Sequence, residues 1–151
     1  LNPKYLTVHA SGGAEMINEA VKTLPNTLIV AVTVLTSIDE VNLQKIGFKN
    51  APKESAVNLA KLAVAAGARA IVCSPQEVAE IRKNVDSSIV LITPGVRPKG
   101  SNANDQQRIA TPEEALLNGS NLLVIGRPIT GSDNVSDAAK RISEEVNSVK
   151  F

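Results

Sequence analysis

Aromatic residues, cysteine and an excess of one charge are nearly absent from this sequence. It has no tryptophan, one tyrosine and two phenylalanines, so its core has to be built from aliphatic side chains. A lone cysteine, Cys73, excludes an internal disulfide and fits a reducing cytoplasm, where we expect the protein to act. The net charge is +1 and no polybasic run occurs, so neither nucleic acid nor a membrane surface is an expected partner.

Long apolar runs are absent as well. The longest have the length of a strand, which excludes a transmembrane helix. The 151 residues fit a single domain, residues 1–151. The chain opens with LNPKYLTVHA, without an initiator methionine or a leader pattern, and enters a predicted strand within a few residues. We therefore expect it to begin inside a domain whose first strands are missing.

Five short apolar segments alternate with helical patterns. The segments are rich in β-branched residues and almost continuously apolar, which is typical of strands buried on both faces of a parallel sheet. The predicted strands are residues 5–9, 28–34, 70–73, 89–92 and 122–125. Alternation of this kind predicts an α/β fold with a parallel sheet of five strand–helix units.

Local signals predict where the helices begin and end. Capping boxes, with Ser or Thr followed three residues later by Glu, begin at Ser37, Ser74 and Thr111. A helix from about residue 53 should stop at Gly67, and another should stop at Gly119. The last helix should run over about residues 135–149, with a regular apolar face.

The residues that follow each strand are candidates for a site, because the carboxyl ends of parallel strands face the ligand. Two of these ends combine glycine with arginine: Gly95 with Arg97, and Gly126 with Arg127. The arginines are 30 positions apart, about one strand–helix unit, which would bring them to the same rim. Glycine lets a ligand approach the backbone closely, and a guanidinium group can donate two hydrogen bonds to phosphate oxygens. These residues therefore predict a phosphate site. The alternative is that each arginine pairs with a surface carboxylate.

A polar segment without periodicity, PKGSNANDQQRIA, follows Arg97. Loops of this length in ordered domains often close over ligands, and Gln106 could then donate its amide to the ligand. The alternative is an idle surface loop.

Polar residues at other strand ends are weaker candidates. His9, the only histidine, could be a polar group at the mouth of the site or a hydrogen-bonded packing residue. Thr36 and Ser37 could bind a ligand through their hydroxyls, although capping alone explains Ser37. The residues that could line the mouth are His9, Ser37, Pro94 and Gly95.

Two further residues are expected to be structural. Cys73 should pack as a small apolar residue, since no neighbour in sequence would lower its pKa, and Ser74 should cap a helix. The sequence contains no HExxH, no paired CxxC and no GxxxxGK[ST], so no metal and no nucleoside triphosphate is expected.

The segments VTVLTS, VCS, ITPGVRPKGSNANDQQRIATPEEAL and NLLVIGRPIT resemble the C-terminal part of orotidine 5′-monophosphate decarboxylase of the bacterial type. The resemblance runs from Tyr5 to the end of the chain. It implies a TIM-type barrel of eight strand–helix units that converts orotidine 5′-monophosphate (OMP) to uridine 5′-monophosphate (UMP) and carbon dioxide in pyrimidine biosynthesis, without a cofactor. It also implies that the substrate-binding residues are Thr36, Arg97, Gln106, Gly126 and Arg127.

The family's catalytic motif, Asp-x-Lys-x-x-Asp, has no counterpart here, because the chain contains no Asp-x-Lys. The resemblance therefore implies that no catalytic residue lies in this chain and that units four to eight of the barrel are present. By itself the chain should be inactive. An open sheet exposes two edges and an apolar face, so we expect a homodimer or association with the missing N-terminal half.

Two other functions remain open at this point. One is a related barrel lyase that acts on a sugar phosphate, which would share the phosphate site and use magnesium. The other is a non-catalytic phosphate-ligand binding module or interaction fragment.

Overall fold

Five strands form one parallel sheet in the computed structural model, which describes residues 2–98 and 108–150. The strands lie in sequence order and are β1 (Tyr5–His9), β2 (Leu28–Val32), β3 (Ala70–Val72), β4 (Val90–Thr93) and β5 (Leu122–Leu123). The helices are α1 (Gly13–Thr23), α2 (Glu40–Lys45), α3 (Pro52–Ala65), α4 (Val78–Asn84), α5 (Pro112–Leu117), α6 (Arg127–Thr130) and α7 (Val135–Asn147).

At least one helix lies in every connection between successive strands, and α6 and α7 follow β5. Parallel neighbours in sequence order, each followed by a helix, are the arrangement of consecutive units of a (β/α) barrel. The predicted α/β fold with five strand–helix units is confirmed. No helix within the described ranges is long and apolar enough to cross a membrane.

One face of the sheet packs against the helices. Ala31, Ile71 and Leu91 are paired in register and are fully buried. They belong to one hydrophobic cluster with helix residues such as Ile17 and Ala60. The buried members of this cluster are aliphatic residues and Cys73, as the scarcity of aromatic residues requires.

The opposite face carries a second row of paired residues, here called the inner row. It consists of His9, Val32, Val72, Ile92 and Leu122. The two end members are exposed and the three between them are half-buried. The sequence predicts strands that are buried on both faces. Among the described residues, the inner row is only partly buried.

Four of the predicted strands differ from the observed ones at their ends. Strands β2 and β3 stop before their predicted ends, β4 lies one residue further along, and β5 has two residues. Beyond β2, Thr33 still bonds to β3, because its N–H and its hydroxyl both donate to the Val72 carbonyl, at 3.1 and 2.8 Å. Beyond β5, Val124 still donates to Thr93 at 2.9 Å, but Gly126 leaves the extended conformation with φ −100° and ψ −93°. The strands were predicted too long where the chain turns into loops.

The three predicted capping boxes differ from one another in the structure. The box at Thr111 is confirmed, with both of its reciprocal hydrogen bonds present at the start of α5. At Ser74 the side chains of Ser74 and Glu77 stabilise a turn, and α4 begins only at Val78. The prediction that Ser37 caps a helix is wrong, because α2 begins at Glu40.

The residue that caps α2 is Asp39. Its carboxylate accepts a hydrogen bond from the Asn42 backbone N–H at 2.8 Å. Ser37 instead lies inside a turn in which Ile38 donates to the Leu35 carbonyl at 3.0 Å. An N-terminal N–H of α2 is therefore satisfied by a carboxylate, which also interacts favourably with the helix dipole.

Helix ends are closed by glycine as predicted. Gly67 and Gly119 have φ values of +99° and +102°, a conformation that other residues adopt at a cost. The last helix ends at Asn147 rather than near residue 149, and its buried residues are Ala138 and Ile142.

Arg82 links the helices to the amino-terminal edge of the sheet. Its guanidinium donates to the carbonyls of Ile89 and Gly119, both at 3.0 Å, and to the Asn121 side chain at 2.7 Å. Asn121 in turn accepts from the Leu91 N–H at 2.8 Å. One arginine therefore ties α4 to the starts of β4 and β5, at the edge opposite to the candidate site.

The assignment of Asp39 rather than Ser37 as the cap of α2 can be tested by mutation. Replacing Asp39 with Ala should lower the free energy of unfolding by about 0.5–2 kcal/mol, because a first-turn N–H loses its acceptor. The matched Ser37→Ala variant should lie within about 0.5 kcal/mol of the parent. Urea unfolding followed by circular dichroism measures both. A larger loss for the Ser37 variant would contradict the assignment.

Candidate functional site

The loops at the carboxyl edge of the sheet hold the predicted site residues. Thr36 and Ser37 follow β2, Arg97 follows β4, and Arg127 follows β5. Because all strands are parallel, these loops leave the sheet at the same edge. The expectation that Arg97 and Arg127 follow neighbouring strands is met, since β4 pairs with β5.

Arg97 is anchored in the loop after β4. It is 6% exposed, its N–H donates to the Ala110 carbonyl at 2.9 Å, and its guanidinium donates to the Val96 carbonyl at 2.9 Å. Gly95 has a φ of +77°, which turns the chain directly after Pro94. Val96 and Ala110 form an isolated parallel bridge, so the two ends of the segment after β4 lie side by side.

Arg127 and Gly126 are exposed at the neighbouring strand end. Arg127 is the first residue of α6, whose opening turn is closed by hydrogen bonds from Ile129 and Thr130 to the Gly126 carbonyl, at 2.8 and 3.0 Å. Among the described residues other than its two chain neighbours, no atom lies within 4 Å of the position a Cβ atom at Gly126 would take. The backbone of this loop is therefore open to a ligand, and Arg127 is placed to reach one.

The remaining predicted residues differ in accessibility. Thr36 is 7% exposed, whereas Ser37 and His9 are exposed. His9 stands at one end of the inner row, so among the described residues it is not a packing histidine. Pro94 is half-buried and Gly95 is buried. Gln106 lies outside the described residues.

A buried ion pair at this edge was not foreseen from the sequence. Arg108 and Glu77 are 8% and 1% exposed and their side chains are paired. Arg108 also donates to the carbonyls of Leu35 and Val34, at 2.7 and 3.2 Å. Burial lowers the pKa of the Arg108 guanidinium from its usual value. The sequence predicts a capping role for Glu77. No local sequence pattern indicates an ion pair between Glu77 and Arg108, because the two residues are far apart in the chain.

The described residues include one cysteine, Cys73. The Cys73 side chain is buried, and burial raises its pKa to about 12 although the charges of Arg82 and Arg108 oppose the shift. Its thiol is therefore protonated at neutral pH and packs as an apolar residue. In residues 2–98 and 108–150, no group of three or more His, Cys, Asp or Glu side chains could hold a metal ion.

The chain is similar to one family of enzymes over nearly its whole length. The model of the "Orotidine 5'-phosphate decarboxylase / HUMPS family" matches residues 2–142. Curated orotidine 5'-phosphate decarboxylases are similar as well: that of Thermobifida fusca is 53% identical over 97% of this chain, and that of Frankia casuarinae 51% over 95%. These matches cover 63% and 52% of the relatives, so the chain spans between half and two thirds of their length.

Solved structures agree with the sequence matches. The crystal structure of orotidine 5'-phosphate decarboxylase from Lactobacillus acidophilus superposes with a TM-score of 0.81 at 34% identity, over 96% of this chain and 64% of that one. An uncharacterized conserved protein from Geobacillus kaustophilus superposes with a TM-score of 0.76 at 28% identity, over 95% and 64%. The five-unit sheet thus corresponds to a part of those folds.

The environment of Cys73 predicts its reactivity. A pKa raised from 9.0 to about 12 lowers the thiolate fraction at pH 8 roughly a thousandfold, and burial blocks access in addition. We expect alkylation by iodoacetamide to be at least that much slower in the native protein than in 8 M urea, as followed by mass spectrometry. Equal rates in the two conditions would show that Cys73 is accessible and ionised.

Proposed function

The chain belongs to the orotidine 5'-phosphate decarboxylase / HUMPS family, and we propose that it carries the phosphate-binding part of an orotidine 5'-monophosphate decarboxylase. The complete enzyme would convert OMP to UMP and carbon dioxide, without a cofactor. The observation that carries the proposal is the pair of loops after β4 and β5, in which Arg97 and Arg127 lie at the same edge of the sheet and Arg127 follows the exposed Gly126.

Each residue of this edge has a proposed role in binding. Arg127, exposed on α6, supplies bidentate hydrogen bonds to phosphate oxygens, and the open backbone at Gly126 lets the phosphate approach closely. Arg97 adds positive charge from a mostly buried position, where solvent screens it little. Thr36 contacts the substrate through its hydroxyl. Gln106, outside the described residues, is the fifth proposed contact.

The chemistry of decarboxylation has no candidate group in the chain, because the sequence contains no Asp-x-Lys. What this part contributes is binding energy at the phosphate, remote from the reacting carbon. Such energy raises the rate when it is used to hold the reacting groups in place at the transition state. We therefore propose that the chain by itself does not decarboxylate OMP.

The inner row favours association with further strands. Three of its apolar members, Val32, Val72 and Ile92, are only half-buried, and Leu122 is exposed at 42%. In barrels this face is a packed core, so covering it would bury apolar surface. We propose that a complementary N-terminal part, or a second copy of the chain, covers this face. The lone buried thiol fits a cytoplasmic protein.

The sugar-phosphate lyase considered above has less support. Curated relatives 44–53% identical to the chain carry the decarboxylase name. If the chain bound ribulose 5-phosphate more tightly than UMP, the sugar-phosphate lyase would become the better explanation.

Removal of Arg127 tests the phosphate role. The Arg127→Ala variant should bind UMP roughly 10- to 150-fold more weakly, which corresponds to about 1.5–3 kcal/mol for hydrogen bonds to a charged group. Uridine, which lacks the phosphate, should bind the variant and the parent alike. Titration calorimetry, with competition for the weaker ligand, measures both affinities.

Arg141 provides the matched control for this experiment. It is exposed on α7, outside the carboxyl-edge loops, so Arg141→Ala should leave the affinity for UMP unchanged. Equal losses for UMP and uridine in the Arg127 variant would contradict phosphate binding by this residue.

Reconstitution tests the division of labour. The purified chain should show no OMP decarboxylation above background, as measured by the absorbance change of the pyrimidine. Co-expression with the complementary N-terminal part of the Thermobifida fusca relative should restore measurable turnover. The turnover should vanish when the lysine of the partner's Asp-x-Lys-x-x-Asp motif is replaced by Ala. Turnover by the chain alone would overturn the proposal that the reacting groups lie elsewhere.

A further inference from the structure

Three strand ends meet at Arg108. Its guanidinium contacts the carbonyls of Val34 and Leu35 after β2 and the carboxylate of Glu77 after β3. Two residues further on, Ala110 bridges to Val96 after β4. Among the side chains described above, that of Arg108 alone connects the ends of β2 and β3 to the segment next to Arg97.

On the β2 side, Arg108 fixes the turn that contains Thr36. The Leu35 carbonyl accepts the closing hydrogen bond of this turn from Ile38 at 3.0 Å, and it accepts the guanidinium of Arg108 at 2.7 Å. Thr36 directly follows the shared carbonyl. Its position therefore depends on a residue 72 positions away in the sequence.

On the β4 side, the backbone near Arg108 holds Arg97. The Ala110 carbonyl accepts the N–H of Arg97 at 2.9 Å. The segment that begins at Arg108 is thus hydrogen-bonded to Arg97 through its main chain and to the turn of Thr36 through its side chain. This connection lies between the two proposed ligand contacts.

Stability alone is a poor explanation for the buried pair. Two charges removed from water lose hydration, and apolar replacements of such pairs are often as stable or more stable. Glu77 has a local task as well, because its second carboxylate oxygen accepts the Ser74 N–H at 3.0 Å. An arginine has several donors in a fixed fork, so it can hold a carboxylate and a backbone carbonyl at the same time.

We propose that Arg108, with its charge balanced by Glu77, is a positioning residue that sets the separation of Thr36 and Arg97 for nucleotide binding. The proposal rests on the proposed function, since it assigns Thr36 and Arg97 to the ligand. Arg108 itself acts through the carbonyls of Val34 and Leu35 and through the backbone next to Arg97.

The test uses a neutral double variant, Arg108→Met with Glu77→Gln, in the full chain. Glutamine keeps an oxygen for the Ser74 N–H, and methionine fills most of the arginine's volume without its hydrogen bonds. The variant should fold with a free energy of unfolding close to the parent's, yet bind UMP about tenfold more weakly. Hydrogen exchange at the Ile38 amide should be faster than in the parent, with or without UMP.

Two further variants keep the result interpretable. Arg108→Lys preserves the charge opposite Glu77 but cannot span the carboxylate and the Leu35 carbonyl together, so it should also bind UMP more weakly. Arg82→Met removes a comparable arginine at the opposite edge of the sheet. It should destabilise the fold while the folded protein keeps the parent's affinity for UMP.

The outcomes separate this proposal from the proposed function. A double variant that exchanges faster at Ile38 but binds UMP like the parent would overturn the positioning role alone. A parent chain that fails to bind UMP would overturn the proposed function, and the positioning role with it. Equal losses of affinity in the Arg82 and Arg108 variants would reduce Arg108 to a contributor to stability.

Discussion

The parallel direction of the five strands is the constraint on which the site depends. Strands that run the same way release their loops at one edge, so residues from separate parts of the chain meet there. The helices in the connections make this direction possible and bury the other face of the sheet in an aliphatic core. This topology by itself places Arg97 and Arg127 in neighbouring loops.

The two edges of the sheet use arginine in different ways. At the amino-terminal edge, Arg82 binds carbonyls and an asparagine and ties the ends of strands to a helix. At the carboxyl edge, Arg108 performs a similar link with a buried carboxylate beside it. Arg127 is left exposed at the same edge, where a phosphate could reach it. The carboxyl edge thus combines a buried, hydrogen-bonded arginine with an exposed one, an arrangement that suits a binding site.

The sequence predicted what is local and missed what is long-range. Strand positions follow from apolar runs, and β1 was predicted with its observed bounds. The Thr111 box was predicted because both partners lie within one turn. The sequence favoured Ser37 as a cap because Glu40 follows three residues later, although Asp39 is an equally good capping residue. The local turn closed between Leu35 and Ile38 places Ser37 before the helix and leaves Asp39 to cap it.

The buried pair of Arg108 and Glu77 illustrates the limit most clearly. The residues are 31 positions apart, and each has a sufficient local explanation, a polar loop for one and a capping box for the other. Only the packing of β2, β3 and β4 side by side brings them together. The proposed ligand likewise depends on the resemblance to a family, because glycine and arginine at strand ends favour a phosphate site but do not indicate the group attached to the phosphate.

We propose that the loops after β4 and β5 bind the phosphate of a nucleotide. A crystal structure of the chain soaked or co-crystallised with UMP is the sharpest test. We expect phosphate oxygens within about 3.2 Å of the Arg127 guanidinium and of the backbone N–H groups at this strand end, with Arg97 beside them. A nucleotide bound elsewhere on the protein, or one whose phosphate points into solvent away from Arg127, would contradict it.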